Sequence, residues 1–280
     1  MNFFDLHCDT ASECFKQSTD FGNMSLAVNF GAAECFEKWY QCFAVFIDDT
    51  LDKPYEHYKD VLKLYRENIK SAPDNLTPVL TVEGGALIKK DISRVDELKS
   101  DGVSALTLTW NYQNPIASGA LTEGGVTDFG KAVINRMNKL NIACDLSHLN
   151  HESFLQAVYL AKRPLATHSC LNEVCKHPRN LNLSDVSLIA EKDGIFGICL
   201  YPAFLGGNVL QNFYRNVYLL LDKGFENNIA IGSDFDGADM TGGIKSTLEI
   251  PILYKYLLNR GISEEQLKKL FFENAYNFFL

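Results

Sequence analysis

The chain has 280 residues, 46% hydrophobic and 22% charged, with 26 Lys and Arg against 35 Asp and Glu for a formal net charge of -9. This balance excludes a disordered or fibrous chain and leaves room for one large domain or two modest ones. With no Lys/Arg-rich stripe to neutralise phosphates, nucleic acid is not expected as a partner.

Short β-rich apolar runs alternate with segments of helical period from one end of the chain to the other, the mark of a parallel sheet covered by helices. The first strand is expected at 3–9, followed by an irregular, partly helical stretch from about 11 to 40. A strand at 42–47 leads to a helix at 54–71 that starts on Pro54, and a strand at 77–83 leads to a helix at 92–100. A strand at 104–110 precedes a helix at 127–140 capped by Thr127, and a strand at 142–147 precedes a helix at 151–162. Strands at 165–169 and 195–201 are followed by helices at 184–193, with Ser184 as cap, and at 208–223. The last strand, 229–234, is followed by helices at 247–260, ended by Gly261, and at 263–278, opened by Ser263 with Glu264, Glu265 and Gln266 in its first turn.

Eight strands with intervening helices in this length predict a (β/α)8 TIM-type barrel, with an open doubly wound sheet as the alternative. No GxGxxG or GxxxxGK[ST] follows a strand, so dinucleotide and P-loop sites lack their phosphate cradle. Without a repeat, linker or low-complexity tract, residues 1–280 are expected to form a single domain.

No apolar stretch reaches the roughly 20 residues that a membrane helix needs. The start MNFFDLHCDT has no basic segment ahead of a long apolar run, so a cytoplasmic protein is expected, without a membrane partner. Asp5 and His7 lie so early that cleavage of a leader would delete the first motif. The 8 cysteines are dispersed, several within apolar runs (Cys42, Cys144, Cys199), and none forms a CxxC pair, so they read as reduced core thiols.

Acid and imidazole side chains collect where the strands end. His7 and Asp9 close the first strand, Glu83 the third, His148 the fifth, His168 the sixth and Asp234 the eighth. In a barrel these C-terminal ends converge on one face, where such enzymes keep their sites. Residues two apart share a side of a strand, so His7 and Asp9 can both face the mouth while Cys8 points away. Three histidines, two aspartates and a glutamate exceed the needs of one tetrahedral ion, so two divalent ions are expected, with a carboxylate such as Glu83 able to bridge them. Metal coordination activates water near neutral pH, and the chemistry implied is hydrolysis.

Asp236 competes with Asp234 for a ligand role, but it lies nearer the turn at Gly237, which favours Asp234. Asp5 and Asp145 read either as groups that orient imidazoles or as strand-end acids satisfied by backbone. His151 is expected at the start of a helix and His57 on a solvated helix face.

These segments resemble the membrane (renal) dipeptidase family of zinc peptidases, including its bacterial members. The motifs that carry the resemblance are DLHCDT, TVEGG, LTLTW followed by Asn, GGVTDFGKAVINRMNKLNIACDLSH, ATHS, an RN eleven residues beyond that His, IGSDFDG and LFFENAYNFF, running in family order from residue 5 to the C terminus. The resemblance implies a (β/α)8 barrel with two zinc ions, the first held by His7, Asp9, Glu83 and Asp234 and the second by Glu83, His148 and His168. It also implies cleavage of a dipeptide with a free carboxylate, commonly with tolerance of a C-terminal D-residue. Arg179 matches the family's carboxylate-binding arginine, which suits a guanidinium fork. It implies dimers as well, and the chain has neither the leader nor the C-terminal anchor of the animal membrane enzymes, as in a soluble form.

One position departs from the pattern. After LTLT the renal enzyme has a substrate-contacting histidine, whereas this chain has Trp110, whose indole N–H is a donor only and carries no charge. The function expected is a zinc-dependent dipeptidase acting through a metal-bridging hydroxide, with Glu83 and Asp234 as catalytic groups and Arg179 and Trp110 contacting substrate. Because Trp110 alters the pocket, a binuclear amidohydrolase acting on an N-acyl amino acid or lactam is the alternative. A barrel that binds metal without catalysis is a third reading, and no ligand is missing from the set to support it.

Overall fold

A computed structural model describes residues 1–280. Eight parallel strands run β1 (Asn2–Cys8), β2 (Lys38–Phe46), β3 (Leu76–Glu83), β4 (Ala105–Thr107), β5 (Ala143–Asp145), β6 (Pro164–Ser169), β7 (Ile195–Cys199) and β8 (Ile229–Gly232). They pair in sequence order, and Asp5 opposite Ile231 closes β1 onto β8, so the sheet is a (β/α)8 barrel and not an open doubly wound sheet. Closure leaves no sheet edge exposed.

The helices follow the expected alternation: α1 (Thr10–Gln17), α2 (Pro54–Asn68), α3 (Ser93–Asp101), α4 (Asp128–Leu140), α5 (His151–Leu160), α6 (Leu183–Ala190), α7 (Pro202–Leu205), α8 (Val209–Asp222), α9 (Ile250–Asn259), α10 (Glu264–Lys268) and α11 (Asn274–Phe279). Pro54 opens α2, Thr127 accepts the Gly130 amide at the start of α4, and Ser263 and Gln266 form a reciprocal cap on α10. Ser184 does not cap α6. Asn182 does, its amide and side-chain nitrogen donating to Asp185 Oδ2, because the helix begins two residues earlier than a Ser184 cap would place it. The segment 263–278 is not one α-helix, since a π-turn at Lys269–Glu273 separates α10 from α11. The stretch after β1 is more regular than expected, with α1 starting directly after Asp9.

The barrel interior holds Phe4, Leu6, Cys42, Ala105, Ala143, Leu165, Ile195 and Ala230, with Phe272 and Ala275 beneath. Phe3, Cys8, Phe43, Val45, Leu106, Ala166 and Phe196 point outward into the larger core under the helices. Strict alternation would put His7 and Asp9 on the face opposite Phe4 and Leu6. A register shift between Asp5 and Cys8 resets the parity, so Cys8 packs outside while His7 and Asp9 turn to the mouth. β6 repeats the device with a shift between Ala166 and Ser169 around His168. Bulges of this kind re-aim side chains next to active sites.

Candidate metal centre

His7, Asp9, Glu83, His148, His168 and Asp234 all lie in one buried group at the C-terminal mouth of the barrel. Each is delivered by a strand or by the first residues after one. Asp9 sits at the N-cap of α1 without capping it: Oδ1 has no hydrogen-bond partner, and Oδ2 lies 3.3 Å from His7 Nε2. His148 (φ 70°) and Asp234 (φ 65°) occupy the left-handed region, which is costly for non-glycine residues and persists only where the surroundings fix it. Here the Asp234 amide donates to His7 O at 3.1 Å, and the Ala120 amide donates to His148 O at 2.7 Å. Gly237 lacks a Cβ of necessity, because one would strike the carboxylates of Asp9 and Asp234.

Glu83 faces two ways. Its Oε1 lies 2.6 Å from His148 Nε2 and 3.6 Å from His168 Nε2, while Oε2 lies 3.6 Å from His7 Nε2. The donor atoms accordingly fall into overlapping triads: His7, Asp9 and Glu83; Glu83, His148 and His168; and His7, His168 and Asp234. Asp234 Oδ1 is 4.0 Å from His7 Nε2, so this carboxylate lies between the two sides and not wholly with the Asp9 side.

Neighbouring groups fix the imidazole tautomers. His148 Nδ1 is 3.0 Å from Asn111 Oδ1, an acceptor, so Nδ1 carries the proton and Nε2 presents a lone pair. His168 Nδ1 is 2.8 Å from Thr167 Oγ1, whose own hydrogen goes to Asp145 Oδ2 at 2.7 Å, so the same tautomer follows. Asp145 thus steadies an imidazole through Thr167, and it also accepts from Thr107 Oγ1 and the amides of Ser147 and Thr167. Asp5 accepts from Ser233, Gln41 and the His7 amide and touches no imidazole ring. Neither Asn111 nor Thr167 stands out in the sequence as a functional residue. The Asn after the Trp and the Thr before the His are their only signals.

The residues present fit a divalent metal. His148 Nε2 and His168 Nε2, each with a lone pair directed outward, face one another at 2.9 Å, an opposition that a cation relieves. Nitrogen and carboxylate oxygen are the donors a borderline divalent ion takes. Their titration shows the same charge problem. Burial pushes Asp234 up to about 8 and Asp9 to about 7. Burial also opposes the charge of His7, but Asp9 and Glu83 outweigh it and raise His7 well above its usual value. Glu83 is held well below the carboxylate range, because His148 and His7 outweigh its burial. Burial and Arg179 lower His148 to about 4, and burial with His7 and Arg179 lowers His168.

Arg179, 6% exposed, joins this group from the loop after β6. Its Nη2 donates to His168 Nε2 at 2.9 Å, its guanidinium lies 5.3 Å over the Phe204 ring, and Nε has no partner. Trp110 stands beyond His148, ring centres 6.4 Å apart. Asp236 is turned away from the cluster. It accepts from Thr10 Oγ1 at 2.6 Å and from the amides of Ala27 and Val28, tying the long connection after β1 to the β8 loop. His151 opens α5 as expected. His57 is half-buried against Phe15 and borders the mouth, contrary to the expected solvated position, because α2 leans over the β1 connection. The mouth opens into a cavity of about 910 Å³ shared by Arg179, Trp110 and the acid and imidazole cluster.

A model of the membrane dipeptidase family, peptidase family M19, matches residues 49–279. The chain belongs to this family. Membership places it among the metallo-dipeptidases, hydrolases of peptide bonds that use a divalent metal. An uncharacterized protein from the pqqA 5' region of Klebsiella pneumoniae is 28% identical over 215 residues, covering 71% of this chain and 79% of that protein. The uncharacterized dipeptidase C3A11.10c of Schizosaccharomyces pombe is 28% identical over 205 residues, or 69% of this chain, which spans 50% of that protein's length. Among solved structures, a metallo peptidase from Rhodobacter sphaeroides, liganded with a phosphinate mimic of L-Ala-D-Ala, superposes with a TM-score of 0.88 at 21% identity, covering 100% of this chain and 98% of that one. At that identity the likeness speaks for the fold. No helix is long and apolar enough to cross a membrane.

Proposed function

We propose that this chain is a two-metal dipeptidase, with zinc as the expected ion, acting on dipeptides that carry a free C-terminal carboxylate. The observation that carries this reading is the two-sided Glu83, with His7 on one oxygen and His148 and His168 on the other, beside the buried Arg179. His7, Asp9, Glu83 and Asp234 would hold one ion, and Glu83, His148 and His168 the other. When bound, such a pair supplies Lewis-acid polarisation of the scissile carbonyl and activation of water at neutral pH.

The chain's own residues do the rest. Arg179 holds the substrate carboxylate in a bidentate grip, for which its fork is preorganised by Phe204 and the His168 carbonyl. Asn111 and Thr167 keep the bare nitrogens of His148 and His168 turned inward. Asp234 passes a proton toward the leaving amine from a carboxylate at the wall of the same cavity. Tolerance of a C-terminal D-residue belongs to this reading, since the Rhodobacter neighbour was solved with a mimic of L-Ala-D-Ala.

The test is hydrolysis by metal-quantified protein of L,L and L,D dipeptides beside N-acyl amino acids and lactams. Turnover of dipeptides that requires both the free carboxylate and bound metal is expected. Activity confined to the N-acyl amino acids or lactams would replace this reading with the amidohydrolase alternative.

A further inference from the structure

The lining of the cavity divides according to the strand that supplies it. The segments after β6 and β7 contribute Arg179, Tyr201 and Phe204, whereas α1, the end of β2 and the segments after β2 and β4 contribute Phe15, Phe46, Leu51, Trp110 and Leu121. In this second sector the apolar side chains are open to the cavity, with Phe15, Leu51 and Leu121 respectively 36%, 37% and 57% exposed, and Ser12, Glu13, Lys16, Asp48 and His57 lie among them. Apolar side chains scattered singly over a surface mean little, but gathered around a concavity they mark a ligand site.

The charges near this wall are engaged elsewhere. Glu13 takes hydrogen bonds from Gln17 Nε2 at 2.7 Å and Lys16 Nζ at 3.2 Å. Asp48 accepts from the Thr50 amide and hydroxyl at 2.7 and 2.6 Å. Trp110 is braced as a fixed panel: its ring meets Phe46 edge-on at 5.2 Å, and its loop is gathered by Asp49, which accepts from the Tyr112 amide and Asn114 Nδ2. Burying an aromatic or branched aliphatic side chain here costs little ordering of the protein, which is what preorganisation contributes to affinity.

We propose that Trp110, Phe46 and the apolar rim beside them form a subsite that selects a large hydrophobic side chain at the N-terminal position of the dipeptide. The proposal rests on the dipeptidase reading, with Arg179 as the carboxylate anchor. A dipeptide held at Arg179 on the β6 side, with its peptide carbon over the Glu83 cluster, extends its N-terminal residue away from β6. In the strand order β2 lies directly across the barrel from β6 and β4 two strands round from it, and the contact between Phe46 and Trp110 joins these two strand ends. Trp110 carries no charge, so it stacks on an aromatic or aliphatic side chain and offers an aspartate no counter-charge.

The experiment measures kcat/KM for X-Ala dipeptides, with X as Gly, Ala, Leu, Phe, Lys or Asp, for the metal-loaded protein and its Trp110→Ala and Phe46→Ala variants. In parallel, calorimetry measures binding of phosphinate mimics of Phe-Ala and Ala-Ala to each protein. Expected is a preference of about tenfold or more for Phe and Leu over Gly, the scale set by one buried apolar side chain, with Asp poorest. Both variants should bring the Phe-to-Gly ratio toward unity, and the gap between the two mimics should close with it. Dipeptide turnover without an N-terminal preference, or a preference that both variants leave intact, would overturn the subsite alone. If no dipeptide is cleaved yet the benzyl mimic still binds more tightly in a Trp110-dependent way, the dipeptidase reading fails and the apolar subsite stands. Equal binding of the two mimics with no turnover overturns both.

Discussion

The two ends of the barrel are made by the same eight strands and have opposite chemistry. At the floor, Phe4 stacks on Tyr40 at 5.2 Å and on Phe279 at 5.5 Å, and Tyr40 meets Phe272 and Tyr276 edge-on at 5.6 and 5.5 Å. Aromatic rings from β1, β2, α11 and the π-turn close that end with apolar area. At the mouth, three buried carboxylates, three imidazoles and a guanidinium share a space where none is fully hydrated. Floor burial stabilises the fold outright, whereas mouth burial leaves charges that need a cation. Stability and metal affinity are therefore separable in this barrel, one held by area and the other by donor geometry.

Two reciprocal substitutions should separate the ends most strongly. Glu83→Gln should lower metal-dependent dipeptide turnover about 10³-fold or more, since a neutral amide cannot supply an anionic oxygen to both sides. Phe4→Ala should destabilise by about 3–5 kcal/mol through cavity formation at the floor and leave metal affinity unchanged. Urea unfolding paired with metal quantification reads both. A Glu83→Gln protein that retains metal and turnover, or a Phe4→Ala protein that loses metal while folded, would undo the separation.

A weaker response is expected at Thr167. Thr167→Val keeps the shape but removes the oxygen that accepts from His168 Nδ1 and donates to Asp145. The imidazole then loses its orientation, and metal affinity measured by chelator competition should fall about 10–100-fold. Unchanged affinity would mean that packing alone orients His168.

The pH dependence of stability should be weaker still. Between pH 6.5 and 8 the folded metal-free protein binds more protons than the unfolded chain, because Asp9 and Asp234 are raised to about 7 and 8 and His7 is raised above 6.5. Stability therefore falls as pH rises through this window. His148 and His168, both lowered, are neutral in the folded protein and lose their protons in the unfolded chain around pH 6.5, so they offset part of the fall at the lower end of this window and little of it toward pH 8. The Tm in the presence of chelator should drop by a few degrees from pH 6.5 to 8, at about 2–4 °C per kcal/mol for a chain of this size. Added zinc should raise Tm more at pH 8, since metal displaces these protons. A flat or rising Tm in chelator would show that the mouth carboxylates do not share their burial as described.

The barrel and most of its elements are legible in the chain alone, because alternating β-rich and helical runs report burial locally. Pro54, Thr127 and Ser263 mark helix starts through chemistry contained within four residues. The six acid and imidazole positions are equally legible, since the strands of a barrel all end on one face. What those positions do to one another comes from the assembled barrel. The register shifts that turn His7 and His168 inward depend on pairing with β2 and β7. Asn111 matters because it meets a ring nitrogen from a different strand end, and Thr167 because Asp145 of β5 takes its hydrogen. Asp236 leaves the cluster for amides more than 200 residues away in sequence, at Ala27 and Val28. Trp110 is visible in the sequence as a departure from the family pattern, but its place beside His148 and in one cavity with Arg179 follows from barrel closure. Periodicity is a local property of the chain, and contacts between distant residues exist only once the strands have paired.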